Sequence, residues 1–163
     1  MNLRKGLRLL SVPAAFGALG VLLILERRLP LRRTVEDTRD RTIRNIAIAG
    51  AAAAALMLSE KPVAARLTRV VEGHRIGLLK FLPLPRAVET AAAVILLDYT
   101  LYLWHVITHR VPLLWRFHAV HHADLDLDAS TAIRFHFGEL IISVIWRAAQ
   151  IVVIGVSPSS LRT

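Results

Sequence analysis

The stretch AVETAAAVILLDYTLYLWHVI (residues 87–107) decides the fold. It runs for 21 residues with only Glu89 and Asp98 charged. About 20 apolar residues in a helix cross a hydrocarbon layer, so this run has spanning length if its two carboxylates face protein or water. Pro83 and Pro85 set it off from what precedes, because each proline pushes the residue before it out of the helical region. Working outward, Leu140 to Val156 is a similar run with a single charge at Arg147. Upstream, Leu9 to Leu25 is 17 residues without charge, and Asn45 to Ser59 is a shorter uncharged run built on Ala51–Ala55. The expected fold is all-α: an integral membrane helical bundle with about four transmembrane or re-entrant helices. They are placed at about 9–25, 43–59, 87–107 and 138–157, in one membrane domain over residues 1–163.

Composition agrees with that placement. The chain is 55% hydrophobic with a mean hydropathy of +0.50. Ala, Leu, Ile and Val supply this, since aromatics make only 6%. Disordered chains are low in apolar residues, so that class is excluded, and an ordinary soluble domain does not need so much apolar sequence. The net charge is +9, and only three of the 21 basic residues are Lys (Lys5, Lys61, Lys80). A basic chain can signal nucleic acid, but here the arginines flank the apolar runs. Arg4, Lys5 and Arg8 precede the first run and Arg27 and Arg28 follow it, which is the positive-inside pattern, and no nucleic acid partner is expected. Residues 27–44 hold seven Arg against Glu36, Asp37 and Asp40, marking a cytoplasmic loop. The expected location is a bacterial inner membrane. The first run is followed by Glu26-Arg-Arg-Leu-Pro, with no small-residue cleavage site, and reads as a retained helix. Residues 60–86 read as a second basic connection, with His74 isolated in it.

There is no Cys, so any metal must be held by His or carboxylate. Five of the seven His fall within Trp104–Ala123. His105 and His109 are four apart, which on a helix puts both imidazoles on one face. His118, His121 and His122 form a second group, with His118 and His122 sharing a face. Pro112 lies between the groups and can turn one toward the other. Several buried imidazoles without a metal would each need a separate partner, so the clustering points to a metal site. All-imidazole ligation suits Fe, Zn or Cu. Asp98 and Tyr102 lie on the stripe that carries His105 and His109, where an acid could accept from a ligand's second ring nitrogen. Trp104, Trp115 and Trp146 read as interfacial anchors. Arg134 either snorkels or pairs with the acidic loop. That loop holds Asp124, Asp126 and Asp128, but it lacks the Gly and Glu of a calcium loop.

The segments Asp98-Tyr-Thr-Leu-Tyr-Leu-Trp-His105-Val-Ile-Thr-His109, Leu114-Trp-Arg-Phe-His118-Ala-Val-His121-His122 and Ser130-Thr-Ala-Ile-Arg134-Phe-His136-Phe-Gly-Glu139 resemble the fatty acid hydroxylase/sterol desaturase superfamily. Its members are integral-membrane diiron oxygenases with HxxxH, HxxHH and HxxHH boxes. The resemblance extends from about residue 20 over most of the chain. It implies that His105 and His109 form the first box and His118, His121 and His122 the second, with His136 as a further ligand. It assigns supporting roles to Asp98, Tyr102, Arg134 and Glu139. Iron, O2 and two electrons from an external ferredoxin or cytochrome-type donor would hydroxylate or desaturate a fatty acyl, sterol or similar apolar substrate drawn from membrane lipids. The boxes would lie on the cytoplasmic face. No Gly-x-Gly-x-x-Gly is present, so reducing power is expected from a partner. The chain departs from the family pattern at Val106, and no His follows His136, so the third box is absent from these 163 residues. The alternative expectation is a truncated, catalytically incomplete member or a non-redox membrane metal-binding protein.

Overall fold

The computed structural model describes residues 14, 17–26, 28–29, 33–126 and 128–162. Among these, all regular structure is helical. Helix α1 is Gly17–Glu26, so residues 9–13 and 15–16 of the first expected helix fall outside the described residues. Helices α2 (Thr38–Ala55) and α3 (Lys61–His74) follow, then α4 (Arg86–Arg110), α5 (Pro112–His122) and α6 (Phe137–Ile154).

The second helix is longer than the apolar run that announced it. A π-helical segment, Leu56–Glu60, joins α2 to α3 without a break. Pro62 accounts for it. A proline inside a helix lacks an N–H and its ring clashes with the carbonyl four residues back, and a widened turn relieves both problems. The basic stretch after Ser59 is therefore a helix and not a connection. His74 stands in its last turn, and Arg75 closes it in the left-handed conformation (φ 53°).

The α1 helix, the α2–α3 rod, α4 and α6 alternate in direction. The end of α1 lies by the histidine loop, where Glu26 accepts a 2.9 Å hydrogen bond from the Ala129 N–H. The start of α2 lies there too: Asp126 accepts from the Val35 and Glu36 N–H groups at 2.8–2.9 Å. The α2–α3 rod leads away, α4 returns, and α6 leads away again. At the far end Val71, Leu79, Ala93, Ile151, Ile154 and Val156 form the buried apolar core. Gly77 (φ 102°) and Gly155 (φ 84°) touch there. A Cβ on Gly77 would stand 2.3 Å from the Gly155 nitrogen, so only glycine fits. Lys80 is buried beside them and pairs with Glu72 at 2.5 Å and Glu89 at 2.6 Å.

Burial is inverted relative to a protein in water. Arg41, Asn45, Thr68, Thr108, Glu139 and Gln150 are buried, while Leu58, Ile95 and Ile145 are 81%, 66% and 78% exposed. A lipid-facing surface reads this way, because apolar side chains lose nothing by facing hydrocarbon. Thr38–Lys80, Arg86–Arg110 and Phe137–Ile154 are each long and apolar enough to cross a membrane. The chain is an integral membrane helical protein.

Candidate metal centre

Val111 is the hinge on which the site turns. It leaves the helical region (φ −95°, ψ 113°), yet its N–H still closes the last turn of α4 on the Ile107 carbonyl at 2.9 Å. Pro112 then opens α5, where its missing N–H is no loss and its φ is already helical. The turn folds α5 back on α4, bringing the histidines of both helices together.

Four rings converge. His105 lies 4.7 Å from His109 and 4.7 Å from His118 between ring centroids. His109 is 4.8 Å from both His118 and His122. The Nε2 atoms of His105 and His109 are 3.1 Å apart, and those of His118 and His122 are 3.2 Å apart. One ligand nitrogen from each ring lies within 4.8 Å of the others. Two imidazole nitrogens held at about 2.0–2.1 Å from one ion, at octahedral to tetrahedral angles, stand roughly 2.8–3.4 Å apart. The His105–His109 and His118–His122 pairs match that spacing, and an all-imidazole cluster of this kind could hold a transition metal.

The supports are unequal. His118 is 1% exposed, and its Nδ1 lies 3.0 Å from Glu139 Oε1 on α6. With that carboxylate ionised, Nδ1–H donates to it and leaves the Nε2 lone pair pointing at the cluster. Burial, and then the neighbouring His109 and His122 rings, lower the His118 pKa to about 4, so the ring is neutral at neutral pH. Burial and the His121 and His109 rings shift His122 the same way, against the pull of Glu139. Thr108, fully buried, donates to the His105 carbonyl at 2.7 Å.

The remaining expected residues are placed differently. His121 neighbours His122 but stacks on Phe135 at 4.9 Å, and its buried Nδ1 has no hydrogen-bond partner among the described residues. His136 caps α6, its Nδ1 accepting from the Gly138 N–H at 3.0 Å, with its ring between Phe117 and Phe137. Arg134 reaches Asp124 at 3.7 Å and Asn45 at 3.4 Å, so it joins the acidic loop and not a histidine. Asp98 and Tyr102 hydrogen-bond no histidine; both line the cavity described below.

Three features were not anticipated. Trp115 packs on the cluster, 5.2 Å from His109 and 5.6 Å from His122. Its position three residues before His118 put it on the same helix face and was the available signal. Trp104 and Trp146 pair with each other at 5.6 Å, and Trp146 donates to the Thr100 carbonyl. Third, Asp124 is the hub of a buried polar knot. It accepts from Thr131 at 2.8 Å and Asn45 at 3.0 Å and faces Arg41, which also binds the Asp126 carbonyl and Asp128. Burial pushes the Asp124 carboxyl up, but Thr131, Asn45 and the Arg41 charge outweigh it and hold it below the usual range. The knot pins α2 to the loop between α5 and α6.

A cavity of about 980 Å³ opens between α1, α2, α4 and α6. Leu23, Ile46, Leu101 and Leu140 make its walls apolar, and His105 and Glu139 stand in its lining beside the cluster. No curated protein and no solved structure matches the chain significantly. Residues 90–162, which hold both histidine groups and all of α6, match the family described as Fatty acid hydroxylase. That segment is similar to the fatty acid hydroxylase family, and the match supports the resemblance to the fatty acid hydroxylase/sterol desaturase superfamily.

Proposed function

We propose that the protein is a membrane-bound, iron- and O2-dependent lipid oxidoreductase that hydroxylates or desaturates an apolar substrate. The observation that carries this reading is the convergence of His105, His109, His118 and His122, with His105 in the wall of an apolar cavity. These four rings would hold the metal, with His121 as a further ligand through its unpartnered Nδ1 and His136 as a more remote one. Bound iron would supply O2-dependent, two-electron oxidation of a C–H bond. Glu139 holds His118 in the tautomer that offers Nε2, and Trp115 covers the cluster on the α5 side. The apolar walls would align a fatty acyl or sterol-like chain and keep water away from the reacting carbon. Electrons would arrive from an external ferredoxin or cytochrome-type donor at the face where the loops lie. Arg33, Arg39, Arg41 and Arg44 lie at that end of the bundle, which supports a cytoplasmic orientation in a bacterial inner membrane.

A second reading, a membrane protein that holds metal without redox turnover, draws on the four-ring cluster being sufficient for one ion. Metal content tests the shared premise. His109→Ala or His122→Ala should weaken metal binding by at least about 10–100-fold, the range seen for losing even an outer partner of a ligand. His74→Ala, at the opposite end of the bundle, should leave it unchanged. Element analysis of the detergent-purified proteins gives the answer. Metal content indifferent to both cluster variants would remove the site, and metal without oxygen-dependent lipid product would select the second reading.

A further inference from the structure

Beside the apolar cavity lies a chamber of about 210 Å³ with a different lining. Glu60, Asp98, Arg147 and Gln150 border it, and Asp98, Leu101 and Arg147 border the large cavity as well, so the two spaces adjoin. All four polar residues belong to stretches that can cross a membrane; Glu60, Asp98 and Arg147 sit well inside theirs, and Gln150 lies one turn from the end of α6. Ionisable groups at that depth are costly and occur where they face partners or a cavity. Arg147 Nε lies 3.3 Å from Glu60 Oε2, an ion pair whose geometry misses a hydrogen bond. Arg147 Nε, Glu60 Oε2 and Gln150 Oε1 are all buried without a hydrogen-bond partner among the described residues. Gln150 is 5% exposed, and its amide nitrogen is spent on the Leu97 carbonyl and on Thr100 Oγ1, which fixes its oxygen in place. One donor and two acceptors are thus held unsatisfied around one small space.

We propose that this chamber receives an uncharged hydroxyl group carried by the apolar substrate, and so selects which carbon lies beside the histidines. The inference rests on reading the large cavity as a lipid slot. Charge decides the class of group. Two carboxylates, Glu60 and Asp98, face one guanidinium, so a substrate carboxylate would add to an existing surplus of negative charge. A hydroxyl carries one donor and two acceptor sites, and can give a hydrogen bond to Glu60 or Gln150 while taking one from Arg147. Length then follows from the helices. Asp98 is seven residues from His105 on α4, and Arg147 eight from Glu139 on α6, or about 10–12 Å at the α-helical rise. An extended chain advances roughly 1.2 Å per bond, so the carbon presented to the cluster lies about eight to ten bonds from the hydroxyl.

Binding tests this without requiring turnover. The full chain in phosphatidylcholine nanodiscs, with empty nanodiscs subtracted, is titrated with hexadecan-1-ol, hexadecane and palmitate, probes that share one chain and differ at its end. The alcohol should bind about 10-fold or more tighter than the other two, the range for hydrogen bonds to charged groups. Arg147→Met should abolish that preference and leave hexadecane affinity within about 3-fold, since uniform apolar contact remains. The comparison of probes on the unaltered chain stands whether or not the variant folds. Equal affinity for alcohol and hydrocarbon overturns the proposal and leaves a closed structural ion pair beside a lipid slot. Tightest binding of palmitate overturns it in favour of an anion subsite, and failure to bind any probe removes slot and subsite together. Alcohol preference in a chain that holds no metal keeps the subsite and removes the oxidoreductase reading.

Discussion

Asp124 shows what a single side chain does here. Its side chain is fully enclosed, and it answers Arg41 and Arg134, two cations that are themselves buried. Removing one member of a buried ionic group leaves the others uncompensated, which typically costs about 3–5 kcal/mol. Asp124→Asn should therefore lower stability by an amount of that order and free the loop that follows α5. Thermal unfolding in detergent measures the first effect, and limited proteolysis between residues 123 and 134 the second. The histidines were legible in the sequence because their information is local: residues four apart share a helix face whatever the rest of the chain does. Of the partners of Asp124, Arg134 was legible as a cation for the acidic loop, but Arg41 was not. Arg41 lies 83 positions away, and no periodicity connects them. The same limit explains Asp98, which shares a stripe with His105 but stands two turns from it, too far for a hydrogen bond.

At the scale of elements, Pro62 and Gly77 carry the lesson. A proline after an apolar run reads as an end, yet a widened turn let the helix continue and made α2, the π-helical segment and α3 one rod. Nothing in the composition of residues 61–74 shows that an apolar side of this basic helix will meet α6. Gly77 reads from sequence as an ordinary turn residue, but its role is to let backbone meet backbone at Gly155. A side chain there would need both an unfavourable φ and space the Gly155 nitrogen occupies. Gly77→Ala should push the α3–α4 connection off the end of α6 and lower the unfolding midpoint. Gly73→Ala, where an added methyl meets nothing within 4 Å, should not. Thermal unfolding of the two variants side by side provides the check, and equal midpoints would discount the contact.

For the whole molecule, the apolar runs foretold an all-helical membrane bundle because spanning length is a property of single segments. The inverted distribution of burial adds a consequence that solvent can test. Carbonate-washed membranes should retain the protein, and appearance in the soluble fraction without detergent would overturn the architecture. Orientation is tested at Ala123, beside the second histidine group. A cysteine placed there by Ala123→Cys should resist an impermeant thiol reagent in intact cells and react after lysis, and labelling of intact cells would reverse the assignment.

The rod from Thr38 to His74 has one more implication. It holds 37 residues, about 55 Å of helix, against a hydrocarbon layer of roughly 30 Å. An element that overshoots the bilayer meets changes in thickness by leaning. One end of this rod is anchored through Arg41 to the loop that leads from the histidines into α6, and the other is packed against the core at Val71. A change in its lean would therefore reach the loop beside His118 and Glu139, so the spacing of the histidine cluster should respond to the thickness of the host bilayer.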